Sequence, residues 1–199
     1  MTAGARGLIL AGGASSRMGS DKALVEVAGM SMVDRVGSAL EQVTPGAVVV
    51  AGRSGTLAGY PCEPDAYPGR TGPLGGLATI LLSLPPGVPL VSVAVDHPFV
   101  RVETLLGLLA LSDGMNPVVP IAGGARQVTV AVYGTAILEI AQEVLASGGS
   151  VQTVLDRVPF VEVDEGQWRA WGEDGRSWFS VDTEAALAEG LARYGSDLG

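Results

Sequence analysis

Short apolar runs alternate along the chain with stretches of helical periodicity, the pattern of an α/β fold built on a mostly parallel sheet. The runs predict strands over 7–11, 47–51, 89–95, 117–121, 128–133 and 160–163. Ser31 with Asp34 three positions on resembles a capping box, after which Val33, Val36, Ala39, Leu40 and Val43 recur on one helical face. Pro73 suits the first residue of a helix running to about Leu84. Further helices are predicted over 102–111, 134–146, 150–158 and 183–194, with the proline-containing stretches 84–89 and 115–117 as turns. The segment 164–177 is read as a loop or short hairpin, with Trp168, Trp171 and Trp178 capping the core in preference to lining a pocket. No internal repeat or low-complexity linker interrupts the pattern, and the residues after Tyr194 read as a frayed end.

The length of 199 residues, with 47% apolar and 17% charged residues, fits one substantial core and one domain over 1–199. The formal net charge is −9 and the basic residues form no cluster. That argues against a nucleic-acid surface. It leaves room for a phosphate-bearing small molecule, which backbone amides, a divalent cation and one or two basic side chains can hold. The apolar run 88–95 is broken by Pro89 and Ser92 and closed by Asp96, too short to cross a bilayer. The first residues lack the features of a secretory signal, so a cytoplasmic protein without membrane attachment is expected. The single cysteine, Cys62, excludes an internal disulfide framework and reads as a small, half-buried hydrophobe. With the single histidine, His97, it cannot build a zinc site.

The chemistry gathers at the end of the first strand, where the chain continues Gly12-Gly13-Ala14-Ser15-Ser16-Arg17-Met18-Gly19-Ser20-Asp21-Lys22. In open α/β sheets ligands bind beyond the carboxyl ends of strands. Paired glycines allow close backbone approach, Ser15 and Ser16 add donors, and Arg17 and Lys22 add charge. The run supplies neither the dinucleotide spacing G-x-G-x-x-G nor the Gly-Lys-[Ser/Thr] ending of a P-loop. A glycine-rich turn without a ligand would leave Arg17 and Lys22 without a purpose. Asp96 closes the strand 89–95 and so brings a carboxylate to the same sheet edge, where it could also cap the next helix. Asp65, before Pro68-Gly69, could belong to a surface turn, while Gly72 and Pro73 open a helix whose N–H groups could face an anion.

The stretch LAGGASSRMGSDKAL resembles the N-terminal signature of the molybdenum cofactor guanylyltransferases, within the nucleotidyltransferase superfamily. Asp96-His97-Pro98-Phe99 is similar to that family's Asp-x-Pro-[Phe/Tyr] metal motif, and Asp65 stands upstream of Gly72-Pro73-Leu74-Gly75-Gly76 as a family Asp does. The resemblance implies a single Rossmann-like domain of the nucleotide-diphospho-sugar transferase type, with a mostly parallel, partly mixed sheet. Its N-terminal half would bind the nucleotide and its C-terminal half the acceptor. It implies that Leu10, Ala11, Gly12, Gly13, Lys22, Asp65 and Asp96 bind the nucleotide. It gives Arg17, Lys22 and Asp96 catalytic parts and has Asp96 hold Mg²⁺. His97, next to Asp96, is expected to point away from the metal and to have no catalytic part. Gly13 favours the guanylyl branch. Gly148-Gly149-Ser150 resembles a glycine turn near the pterin, and equally a helix C-cap followed by an N-cap. Ser180-Val181-Asp182-Thr183 replaces the family's Asn-Val-Asn-Thr; Asp182 is either a second metal ligand, as in other relatives, or the N-cap of the last helix. Ala51 stands where an Asn is often found.

The implied activity is transfer of GMP from GTP to the terminal phosphate of molybdopterin or molybdenum-molybdopterin, with release of pyrophosphate. Molybdopterin-delivering enzymes or acceptor molybdoenzymes would be protein partners. The attacking phosphate monoester is largely ionised near neutrality, its second pKa being about 6, so no general base is needed. Three alternatives remain open: a cytidylyl- or sugar-phosphate nucleotidyltransferase, a non-catalytic GTP-binding cofactor-handling protein, and, weakest, a Rossmann dehydrogenase.

Overall fold

A computed structural model of the chain describes residues 4–12, 21–67, 69 and 72–198. In chain order its elements are β1 Arg6–Leu10, β2 Glu26–Val27, β3 Met30–Ser31, α1 Met32–Val43, β4 Val48–Ala51, β5 Gly55–Leu57, β6 Tyr60–Glu63, α2 Gly72–Ser83 and β7 Leu90–Ala94. There follow α3 Val102–Ala110, β8 Val118–Ala122, β9 Ala125–Arg126, β10 Val130–Tyr133, α4 Leu138–Ala146, α5 Val151–Leu155, β11 Val161–Val163, α6 Glu165–Ala170 and α7 Glu184–Tyr194.

The main sheet runs β11-β8-β10-β7-β1-β4-β6-β5, with β9 attached to β8. β1 is parallel to β4 and β7, β4 to β6, and β8 to β11. β10 enters antiparallel between β7 and β8, and β5 is antiparallel to β6. The sheet is therefore mostly parallel, as the apolar pattern predicts, and partly mixed, as the resemblance implies. The central strands read as unbroken apolar runs because helices cover both faces. Ile9, Val48, Val50, Val91 and Val93 point to a core shared with Val33, Val36 and Leu40 of α1 and Leu105 and Leu108 of α3. The alternate residues Leu8, Leu10, Val49, Ala51 and Leu90 point to a second core with Leu74, Leu77 and Leu81 of α2 and Ala141 and Val144 of α4.

Local chemistry explains the element ends. The Ser31 side chain accepts from the Asp34 N–H at 3.2 Å, and the Asp34 carboxylate accepts from the Ser31 hydroxyl at 2.5 Å, a cap of different wiring from the expected box. The helix predicted over 134–146 begins as a 3₁₀ turn, Thr135–Ile137, before α4. The helix predicted over 150–158 ends at Leu155. Between α4 and α5, Gly148 takes φ +74° and Ser150 caps α5, so Gly148-Gly149-Ser150 serves as a C-cap followed by an N-cap.

Two expectations are corrected. The segment 164–177 is not a loop or hairpin: Asp164 and Gln167 form a full capping box that starts α6, and a 3₁₀ turn follows over Arg176–Trp178. Trp168 is buried and donates its indole N–H to the Ile121 carbonyl at 2.9 Å, while Trp171 and Trp178 pack against the same core. Residues 195–198 are held rather than frayed, by an Arg176–Asp197 ion pair at 2.8 Å and by Leu198 against the core. The pattern missed β2, β3, β5, β6 and β9, strands of two to four residues in which a period of two cannot be seen. Cys62 lies half-buried in β6. Among the described residues no helix is long and apolar enough to cross a membrane.

The Ser92 hydroxyl, in the middle of β7, is fully buried and has no hydrogen-bond partner among the described residues. Ser92→Ala should leave stability unchanged or raise it by up to about 1 kcal/mol, because an unsatisfied buried hydroxyl costs desolvation without return. A urea midpoint below that of the parent protein would contradict this.

Candidate active site

The parallel register aligns Leu10 with both Ala51 and Ala94, and the Val95 N–H extends the ladder to the Leu10 carbonyl at 3.0 Å. Gly12, Gly52 and Asp96 consequently leave the sheet at one edge. There the backbones crowd together. Gly52 holds φ +85°, and a Cβ on it would lie 3.2 Å from the Gly12 Cα. On Gly76 in α2, a Cβ would lie 2.8 Å from that of Ala51 and 3.2 Å from Leu10 Cδ2. These three glycines, with Leu10, Ala51, Asp65 and the start of α2 at Gly72-Pro73, line a cleft. Asp65 is held there by its neighbour: the Ala66 N–H donates to Thr79 Oγ1 at 2.9 Å, and Thr79 donates to the Gly75 carbonyl at 2.8 Å.

Beside the cleft stands a charge cluster. Lys22 Nζ lies 3.2 Å from Asp96 Oδ2 and 2.5 Å from Asp182 Oδ1. The lysine side chain is only 15% exposed, Asp96 26% and Asp182 61%. The Val181 N–H donates to the Asp96 carbonyl at 2.8 Å, which pins the 180–182 segment, and the Ser180 hydroxyl donates to Asp182 Oδ2 at 2.9 Å. The Lys22 ammonium, then desolvation working against it and the Ser180 hydroxyl, leave the Asp182 carboxyl below its ordinary range. Thr183, and not Asp182, caps α7. His97 does not point away from Asp96: its Nε2 lies 3.6 Å from Asp96 Oδ1 and 3.2 Å from Thr129 Oγ1. Burial, outweighing the pull of Asp96, pushes its pKa down and keeps the ring neutral near pH 7.

Asp96 Oδ1 is buried without a hydrogen bond. With Asp182 it offers hard oxygen donors from two segments, a donor set that fits a Mg²⁺ ion completing its shell with water and phosphate oxygens. Among the described residues no group of three or more His, Cys, Asp or Glu is arranged so as to hold a metal ion by itself.

A sequence profile of the MobA-like NTP transferase domain matches residues 7–162, a span that contains the cleft, Lys22 and Asp96. The chain belongs to the MobA-like NTP transferase family. It is 33% identical, over 93% of its length and 91% of the relative's, to a protein of Pelotomaculum thermopropionicum named a probable molybdenum cofactor guanylyltransferase. It is 41% identical over 107 residues, 54% of each chain, to the molybdenum cofactor guanylyltransferase of Xanthomonas euvesicatoria. The solved structure of molybdopterin-guanine dinucleotide biosynthesis protein A from Archaeoglobus fulgidus matches with a TM-score of 0.80. That match covers 96% of this chain and 99% of that one at 21% identity, a likeness of fold. The 2-C-methyl-D-erythritol 4-phosphate cytidylyltransferase of Thermus thermophilus shares the fold more distantly, with a TM-score of 0.64 at 18% identity over 94% of this chain and 98% of that one. The family makes the chain a nucleotidyltransferase of the kind that serves molybdenum cofactor biosynthesis.

For this family member, then, Leu10, Gly12 and Asp65 are brought together around the cleft, and Lys22, Asp96 and Asp182 beside it. Ala11 is buried, and its carbonyl lies 3.4 Å from Arg53 Nη2. Gly13 and Arg17 lie outside the described residues. Sequence reasoning overlooked Arg53, although it follows β4 at the edge where ligands bind in such sheets. Its guanidinium holds the Asp21 carboxylate through both terminal nitrogens, and this hydrogen bonding is the main reason the Asp21 carboxyl lies below its ordinary 3.8. A depressed carboxylate adds stability above its unfolded pKa and loses it as pH falls through the folded value. Asp21→Asn should therefore cost about 1 kcal/mol at pH 7. The gap from the parent should close as pH drops below about 3.8, as followed by urea unfolding at several pH values. A gap that persists undiminished to pH 3 would be inconsistent with this pairing.

Proposed function

We propose that the chain transfers GMP from GTP to the terminal phosphate of molybdopterin, with or without molybdenum, in the cytoplasm. The observation that carries the reading is the Lys22 ammonium held between Asp96 and Asp182 beside a glycine-floored cleft in a MobA-like chain. The cleft, with Asp65 and the first turn of α2, would take the nucleoside end. Lys22, with Arg17 from the glycine-rich loop, would meet the phosphates.

A phosphate oxygen of the acceptor attacks the α-phosphorus of GTP. The new P–O bond forms as the bond to the bridging oxygen of pyrophosphate breaks, and the electron pair leaves with pyrophosphate. The acceptor phosphate is already ionised, so no residue must remove a proton, which suits a site whose one imidazole is neutral and bound to Thr129. Lys22 and Arg17 neutralise charge as it moves onto the leaving group, and the loop holds the reactants in line. Asp96 and Asp182 would hold a Mg²⁺ ion, which when bound screens the phosphate charges and polarises the reacting phosphoryl group.

A cytidylyl- or sugar-phosphate nucleotidyltransferase is the second reading, favoured by Asp182 where guanylyltransferases usually carry Asn. Pyrophosphate release from ATP, CTP, GTP and UTP, with and without molybdopterin, separates the two. Guanine-selective release that requires the acceptor is expected, and efficient release from CTP would overturn the guanylyl assignment. Asp96→Ala should lower the rate by about 10³-fold; an unchanged rate would remove Asp96 from the chemistry. Asp182→Asn should raise the Mg²⁺ concentration for half-maximal rate by about tenfold, since ligand charge sets affinity for a hard cation. An unaltered Mg²⁺ requirement would leave Asp182 as a partner of Lys22 alone.

A further inference from the structure

We infer that Arg53 is the positioning residue for Lys22. It acts through Asp21 and sets where the ammonium stands in nucleotidyl transfer. The inference rests on the part given to Lys22 above.

Arg53 follows Gly52 just beyond β4, and its guanidinium reaches both ends of the glycine-rich loop. Nη2 lies 3.4 Å from the Ala11 carbonyl, where the chain leaves β1. Nη2 also donates to Asp21 Oδ1 at 2.8 Å and Nη1 donates to Asp21 Oδ2, where the loop ends one residue before Lys22. Asp21 Oδ1 accepts in addition from the Ala23 N–H at 3.2 Å, and so caps the 3₁₀ turn Lys22–Leu24. That turn closes through Leu24 N–H to the Asp21 carbonyl at 2.9 Å and Val25 N–H to the Lys22 carbonyl at 3.2 Å. Ala23 is buried in the core below it.

The path from Arg53 to Lys22 Nζ is thus continuous: guanidinium, carboxylate, capped turn, lysine. A 3₁₀ turn of three residues has little stability of its own, so its orientation must come from its cap and from Ala23. The usual reading of such a pair is a surface salt bridge of little consequence. Here the geometry is bidentate, the two side chains are 30% and 31% exposed, and the same guanidinium reaches the Ala11 carbonyl just beyond β1. The fork geometry also excludes lysine as an equivalent, because an ammonium is a point donor.

Lys22 is the only lysine in the sequence, which makes the test direct. Intact protein is labelled with an acetylating reagent and Lys22 modification is followed by mass spectrometry, with the N-terminal amine as internal reference. In the parent protein the ammonium is shielded by two carboxylates and should react slowly. Arg53→Gln should raise the Lys22 labelling rate by about tenfold while the N-terminal rate stays constant. In turnover the same variant should lower kcat by about tenfold and change the GTP KM by less than about threefold. In a Lys22→Ala background, Arg53→Gln should cost nothing further, because both changes then remove one interaction. Arg53→Lys should recover less than half of the lost rate. If Arg53→Gln fails to fold, Asp21→Asn should give the same labelling increase. Unchanged Lys22 labelling, or losses that multiply independently in the double variant, would overturn the inference. If the parent protein transfers no nucleotide at all, the functional reading falls while the labelling comparison still decides whether Arg53 positions Lys22.

Discussion

β1 pairs in parallel with β4 on one side and β7 on the other, so three buried strands must finish their hydrogen-bond ladders at one edge of the sheet. In a parallel sheet the chain that follows each strand begins beyond the carboxyl ends, on the edge where ligands bind. That constraint gathers Gly12, Gly52 and Asp96 from stretches far apart in sequence. Helix α2 then closes the cleft. Gly76 lets its backbone sit against Ala51 and Leu10, where any side chain would force the helix away.

At this edge electrostatics and chain geometry depend on each other. Lys22 is bound to Asp96, 74 residues away, and to Asp182, 160 residues away. One ammonium against two carboxylates leaves the cluster negative, which suits a divalent cation arriving with a polyphosphate and would not by itself favour a bare anion. The partly exposed Asp182 and the more buried Asp96 are also held together by the backbone bond from Val181 to Asp96. The relation between the two carboxylates therefore does not depend on the lysine alone. His97 contributes a neutral wall between Asp96 and Thr129, and Glu173 satisfies Thr104 and Ser177 in the interior behind α3.

What the residues disclosed in order along the chain was whatever depends on near neighbours. The long apolar runs gave away the central strands, since both faces of each are buried and no polar alternation dilutes them. The periodic helices α1, α3 and α7 were equally plain. The glycine-rich run and the Asp96 motif could be recognised because paired glycines after a strand and a strand-end carboxylate show in the local spacing. The capping box of Asp164 and Gln167 was present but was obscured by the surrounding glycines and tryptophans, and strands of two to four residues carry too little pattern to be seen.

Only the folded chain decides which distant groups meet. Arg53 has no motif of its own, and its importance appears once β4 lies beside β1 and the guanidinium falls between Ala11 and Asp21. His97 could not be oriented from its place after Asp96, because its direction depends on Thr129 at the entrance to an antiparallel strand. Asp182 could equally have been a helix cap until Thr183 was found in that position and the carboxylate on Lys22. Local propensity and spacing are encoded within a few residues, whereas charge pairing across a sheet edge depends on strand order and register, which no single segment contains.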